Sequence, residues 1–359
     1  ELAIVQDALA RNDIALVHRR AMFVDPHCVV VESLEGQRLL QADNFLIAVG
    51  TRPSDPPGIC PDHQTVVTSD TVLELERVPR SLAVVGAGVI GVEDATMFAS
   101  IGTQVTIIDQ RPRPLEFLDH EIVDELIHQM RKTDVTFRCG EAVEHIDIVE
   151  SPHRQGLIHL ESGKHIVAEA ILFCAGRIGA TDTLRLEAVE LEADSRGRLS
   201  VDDEYRTSVP HIYAAGDVIG YPALAATSSE QGRLAACNMF GVEAEPMGNH
   251  FPVGIYAIPE ISMVGLTEEH LTRDRVPYEI GVARYREISR GQILGDDSGM
   301  LKLLFHREDG RLLGVHCIGT GATELIHVGQ AVLGLGGDLQ YFLKSVFNYP
   351  TLAECYKVA

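Results

Sequence analysis

Three glycines, Gly86, Gly88 and Gly91, and an acid eighteen positions further on, Asp109, are the residues of this chain whose types and spacing best support chemistry. That chemistry is the holding of an anionic dinucleotide. Gly86 permits a tight turn, Gly88 lets a pyrophosphate approach the backbone, and Gly91 lets helix and strand pack closely. Val89, Ile90 and Gly91 would open a helix whose first N–H groups point at the anion. Asp109 stands where a carboxylate accepts hydrogen bonds from an adenosine ribose. Arg111, with Arg113 in reserve, could meet the extra phosphate that distinguishes NADP from NAD. Two plainer readings compete: a glycine turn that binds nothing or another phosphate, and charges at a strand end that are only solvated.

The surrounding pattern lifts the glycine triplet above coincidence. Residues 82–85 are an apolar run suited to a buried parallel strand, 89–101 read as a helix, and 105–108 as the returning strand. LIAVGTR, ending at Arg52, and LFCAGR, ending at Arg177, echo one another as strand, glycine and arginine, which points to two related nucleotide-binding modules. The first of these strands, 45–49, is apolar throughout, as for one buried on both faces, and 53–61 is a proline-rich connection. The pattern also predicts a helix from Glu1, a strand pair over 21–31 and 37–40, a helix over 120–132, and strands near 135–137 and 157–160. A strand over 212–215 is capped by Gly216 and Asp217 and followed by a small-residue helix over 223–238. Beyond Pro246, strands over 261–264, 301–305 and 312–318 and helices over 322–333 and 339–347 describe an α+β domain of its own.

At 359 residues the chain accommodates two or three domains. A formal charge of -22 argues against nucleic acid or an anionic membrane as partner, since both demand a basic surface. No apolar run is long enough to span a bilayer. Seven cysteines without C-x-x-C or other short pairing fit a reducing, cytoplasmic setting and buried thiols. The fifteen histidines show no H-E-x-x-H or similar spacing, His159 and His165 merely flank a turn at Ser162 and Gly163, and no metal site is expected.

An adenine-dinucleotide module set between two halves of another, with an α+β tail, resembles the flavoprotein disulfide reductase family over essentially the whole chain. The resemblance implies an α/β fold of two doubly wound nucleotide-binding modules, the FAD one split and incomplete, plus a C-terminal α+β dimerisation domain. The implied bounds are 1–75 and 200–246 for the FAD-binding parts, 76–199 for the NAD(P)-binding module and 247–359 for the dimerisation domain. GAGVIG would hold the nicotinamide nucleotide, in a module that closes with Gly176 and Arg177. AAGD would set Asp217 on the flavin ribityl chain, Ala225 would meet the flavin through its backbone, and Gly50 matches the glycine of the family's A-T-G loop, written AVG here. Glu93 would sit near the flavin edge. FPVGIYAIPEISMVGLTEEHL and FNYPTLAE resemble the opening and the ending of the family's dimerisation domain, implying a homodimer or a higher homo-oligomer.

Two departures carry more than the matches. The family's first βαβ unit, with its FAD glycine motif and redox-active cysteine pair, would precede residue 1. Tyr349 stands where disulfide reductases place a histidine before proline, an acid or base toward the dithiol held by the glutamate matching Glu354. A tyrosine, ordinarily titrating near ~10, does not shuttle that proton at neutral pH without a large shift. One branch of the family has this tyrosine together with phrases like PEISMVG, LLFHRE and LGVHCIG, and its members pass hydride between NADPH and NAD through FAD. The resemblance therefore implies an oxidoreductase that uses FAD, NAD and NADP, with its chemistry on the flavin and no catalytic side chain. The alternatives are a dihydrolipoamide dehydrogenase-like disulfide reductase, should C-x-x-x-x-C precede residue 1, and a nucleotide-binding fragment without activity.

Overall fold

The segments SLAVV and QVTIID place apolar residues at successive central positions, and both form strands that are largely buried, Ser81–Val85 and Gln104–Asp109. They lie in a parallel sheet of five, ordered Val66–Thr68, Ala170–Phe173, Ser81–Val85, Gln104–Asp109, Thr136–Cys139. The computed structural model describes residues 2–33, 36–56, 58, 61–150 and 153–359. Cys60 and parts of the expected 53–61 connection, Pro57 and Ile59, lie outside the described residues, as do Glu1, Leu34, Glu35, Ser151 and Pro152.

The chain divides into two compact units, Glu1–Arg52 with Ile178–Met247, and Pro53–Arg177 with Gly248–Ala359. The second takes up the chain well ahead of the expected residue 76, because Val66–Thr68 already pairs with Ala170–Phe173. In it, the glycine helix Val89–Ser100 and the helix His120–Lys132 link successive parallel strands. The next connection is a three-stranded antiparallel sheet, Val143–Val149, Gln155–Leu160 and His165–Ala168, in which only the middle strand matches an expected one. Its Ile146, Ile158, Leu160 and Ala168 pack with Val85, Ile108, Ile171 and Phe173, which turns His145, Asp147, His159 and His165 outward, whereas Val143, before a register shift, packs on the core side.

The C-terminal part of the same unit is an antiparallel sheet ordered Val253–Ile255, Ile261–Gly265, Leu312–Ile318, Met300–His306, Tyr278–Arg284. Its two outer strands add to the three that the apolar pattern predicts. Helix Ala322–Gly334 falls as predicted, whereas the helix expected to reach 347 stops at Lys344. This sheet is not a core apart: Ile255, Ile261, Met300 and Ile318 share one apolar cluster with Val92, Ala95 and Phe98 of the glycine helix.

The first unit holds the helix Leu2–Arg11 and an antiparallel sheet of Ala21–Asp25, Cys28–Ser33 and Gly36–Gln41, so a turn at Pro26 and His27 splits the strand expected over 21–31. The strand expected over 45–49 ends at Ile47 and pairs only with Ile212–Ala214 among the described strands. It is not buried on both faces, for Leu46 and Val49 are each 39% exposed. Helix Ala225–Met239 completes the unit. Among the described residues no helix is long and apolar enough to cross a membrane.

Candidate nucleotide site

In the parallel sheet the chain reverses its order of strand addition between Ser81–Val85 and Ala170–Phe173, and a ligand crevice is expected outside the carboxyl ends at that point. A cavity of about 540 Å³ lies there, lined by Gly86, Gly88, Asp109, Arg111, Glu141 and Gly176 among others. Gly86 has φ +112, and a Cβ on it would come within 2.7 Å of the Cys174 carbonyl oxygen. A Cβ on Gly91 would meet the Gly86 carbonyl oxygen at 1.9 Å, so these two glycines are required by the turn itself. At Gly88 a Cβ would meet nothing within 4 Å, which leaves that backbone open to a ligand. Gly88 caps the helix, and Val92 donates the first intrahelical bond to the Gly88 carbonyl at 3.0 Å. The N–H groups of Val89, Ile90 and Gly91 precede that bond and suit a pyrophosphate.

Asp109 ends its strand as expected, only 6% exposed, but it does not stand alone. One carboxylate oxygen accepts the Ala87 N–H at 2.6 Å, the other the Arg111 N–H at 2.8 Å, and the Arg111 guanidinium closes a two-pronged pair at 2.9 and 2.6 Å. Burial would raise the Asp109 carboxyl, yet the Arg111 and Ala87 hydrogen bonds hold it below its usual range. The ribose acceptor and the phosphate donor expected as separate contacts are therefore one ion pair. Arg113 does not join them: it is engaged by Asp124 and is not among the residues lining the cavity.

Gly176, at φ +147, lines the cavity and its carbonyl accepts the Ser54 N–H and hydroxyl at 3.1 and 3.0 Å. Arg177 turns to Ser69 at 3.2 Å and Asp70 at 3.5 Å, and it too is not among the lining residues. Glu141 and Cys174 also line the cavity: Cys174 lies within the LFCAGR echo, whereas Glu141 follows a strand end where no spacing rule marks it. Burial pushes the Cys174 thiol far up, so it is inert.

Glu93 accepts the Tyr256 N–H at 2.8 Å, and burial, opposed by that bond, raises its carboxyl. Its neighbour Asp94, unremarkable in the sequence, is 8% exposed and pushed up to about 6 by burial and by the Glu93 charge.

In the other unit, Gly216 at φ +81 donates its N–H to the Gln231 side chain at 2.8 Å, fixing the turn that presents Asp217. The Thr51 hydroxyl donates to the Asp217 carboxylate at 3.4 Å. Ala225 opens its helix ahead of the first intrahelical bond, donated by Ser228 to Leu224 at 2.8 Å. Gly50, at φ +66, has open space where a Cβ would stand. A half-buried acceptor for hydroxyls, a helix N-terminus and an unhindered glycine loop fit the ribityl and ring portions of a flavin.

Tyr349 is 65% exposed and its hydroxyl bonds Ser289, not Glu354. Glu354 has one buried carboxylate oxygen without a hydrogen-bond partner among the described residues. The histidine-glutamate pairing of a disulfide reductase has no counterpart between these two residues.

Fold and sites define a flavin- and nicotinamide-dependent oxidoreductase: the chain matches the pyridine nucleotide-disulphide oxidoreductase family over residues 4–232 and that family's dimerisation domain over 251–359, and it belongs to this family. It uses FAD with NAD(P). Its sequence is 50% identical over 361 residues to the soluble pyridine nucleotide transhydrogenase of Mycobacterium bovis (strain BCG / Pasteur 1173P2), covering 100% of this chain and 76% of that one. It is 47% identical over 354 residues to the soluble pyridine nucleotide transhydrogenase of Marinomonas sp. (strain MWYL1), covering 98% and 76%. Among solved structures, the HOCl-induced flavoprotein disulfide reductase RclA from Escherichia coli aligns with a TM-score of 0.89 at 26% identity, over 98% of this chain and 81% of that one.

Proposed function

We propose that this protein transfers hydride between NADPH and NAD through FAD, as a homodimer in the cytoplasm, with both nicotinamide nucleotides using the one cavity at the glycine turn. The observation that carries the reading is the Asp109–Arg111 pair: a single cavity wall offers a carboxylate for a ribose diol and a guanidinium for a 2′-phosphate. When bound, FAD supplies a centre that takes hydride from one nicotinamide and returns it to the other. The N–H groups of Val89, Ile90 and Gly91 hold the pyrophosphate, and Gly88 admits it. Asp217 orients the flavin chain, and the N-terminus of Ala225–Met239 favours negative charge on the flavin ring. Tyr349 has no proton to shuttle, because hydride passes without a thiol relay.

Initial rates of the flavin-loaded enzyme with NADPH and an NAD analogue test this. Parallel reciprocal plots are expected, because one cavity forces the nucleotides to react in turn. Dihydrolipoamide should be a negligible donor, and turnover of it comparable to that of NADPH would replace this reading by a disulfide reductase.

A further inference from the structure

Away from the glycine turn, the three-stranded sheet over residues 143–168 carries a row of histidines that hydride transfer does not use. His145 pairs across strands with His159, and His159 with His165, so all three project from one face. Asp147, two positions along from His145, shares that face. The opposite face is committed to the apolar core through Ile146 and Ile158. Asp147 Oδ2 lies 3.0 Å from His159 Nε2 and 3.7 Å from His145 Nε2. One ligand atom from each of the three residues falls within 4.8 Å of the others. His159 Nε2 is buried yet makes no hydrogen bond of acceptable geometry, even with Asp147 so near.

We propose that His145, Asp147 and His159 bind one divalent transition-metal ion of the zinc class, with solvent completing its shell. Two imidazole nitrogens and one carboxylate oxygen suit zinc, copper or nickel rather than magnesium or calcium. Bonds of about 2.0–2.1 Å to a tetrahedral ion set ligand atoms roughly 3.3 Å apart, and the two measured separations, 3.0 and 3.7 Å, bracket that value. The rival account is a pair of imidazolium-carboxylate bridges. Where both rings are charged in that account, they repel, since they stack with centres 4.0 Å apart. A dication on neutral rings satisfies Asp147 without that conflict and uses the unbonded His159 nitrogen. Glu144, 3.9 Å from His145 Nδ1, is placed to orient the ring from behind. A second acidic group, Asp119, Glu121 and Glu268, carries no site, because the Lys302 ammonium already fills it.

The ion would tie Val143–Val149 to Gln155–Leu160 one residue pair beyond Val143 and Leu160. Ala142, Val143 and Glu161, at that end of the sheet, line the nucleotide cavity, so the tie would stiffen its wall.

Equilibrium dialysis of the flavin-loaded protein against Zn²⁺, with metal analysis, tests the proposal. The double variant His145→Gln/His159→Gln should bind one equivalent fewer than the parent, and Asp147→Asn should weaken that equivalent at least tenfold. Replacing the exposed His128 by Gln should change nothing. Zn²⁺ should also raise the Tm of the parent more than that of the double variant, a comparison that separates site loss from background binding by thiols. Equal stoichiometry and equal Tm response in parent and double variant would overturn the site.

Discussion

Asp109 and Arg111 show what two positions of spacing can and cannot convey. Their distance from the glycine turn marks both as candidate nucleotide contacts. Their mutual pairing is not legible, because spacing fixes where a residue stands and not where its side chain turns. In the structure Arg111 lies across the Asp109 carboxylate, so under the proposed function each nucleotide draws on a different half of one ion pair. Asp109→Asn keeps an acceptor for the Ala87 N–H but gives up the charge. A charge-assisted hydrogen bond contributes about 1.5–3 kcal/mol. NADH binding should therefore weaken by about tenfold or more, while NADPH, meeting an unpaired Arg111, should bind as well or better. Fluorescence titration of both nucleotides reads this directly. An equal loss for the two would remove Asp109 from the ribose role. Arg111→Ala should do the reverse and weaken NADPH selectively, and an unchanged NADPH affinity would leave Arg111 only a partner for Asp109.

At the scale of elements, legibility follows burial. Strands covered on both faces, such as Ser81–Val85 and Met300–His306, announce themselves as apolar runs. Val143–Val149 mixes apolar with charged and histidine positions and His165–Ala168 is only four residues long, so neither gives a sustained strand pattern until its partners are in place. The glycine helix is legible in extent but not in its second face. It is packed both against its own sheet and against the C-terminal sheet, and Asp94 is caught inside with its carboxyl pushed up to about 6 by burial and by Glu93. The native state therefore holds a proton that the unfolded chain releases at its ordinary value near ~4. Stability is lost as pH rises from about 4 through 6 and stays lost above, by up to roughly 3 kcal/mol for a carboxyl raised that far. Asp94→Asn cannot suffer that loss. Its stability relative to the parent should climb over that window, as measured by urea midpoints at pH 4.5 and 7.5. A difference that does not change with pH would mean Asp94 titrates normally in the native state.

Across the whole second unit, the join between the nucleotide module and the C-terminal sheet rests on a contact that no local pattern discloses. Lys302 interrupts the apolar run MLKLLF and would pass for an outward-facing position of an edge strand. Instead it is fully buried. Its ammonium lies 2.8 Å from Asp119, which caps the helix His120–Lys132, and 3.1 Å from Glu121, with Glu268 also bonded to it. Burial would lower the Lys302 ammonium, but its hydrogen bonds to Asp119 and Glu268 outweigh that effect and raise it, so the charge persists. Such a cluster adds little over an apolar replacement of all its members, yet removing one member strands the rest. Lys302→Met should cost about 3–5 kcal/mol, because Asp119 would keep its charge out of water without a counterion. Adding Asp119→Asn, which preserves the helix cap, should recover a substantial part of that loss. The non-additivity belongs to the join and not to either side of it. Chemical unfolding of the two single variants and the double variant measures it. If Lys302→Met costs less than ~1 kcal/mol, or if the two changes simply add, the lysine is reached by water in solution. The shared apolar cluster of Val92, Phe98, Ile255 and Ile318 would then hold the two parts together without it.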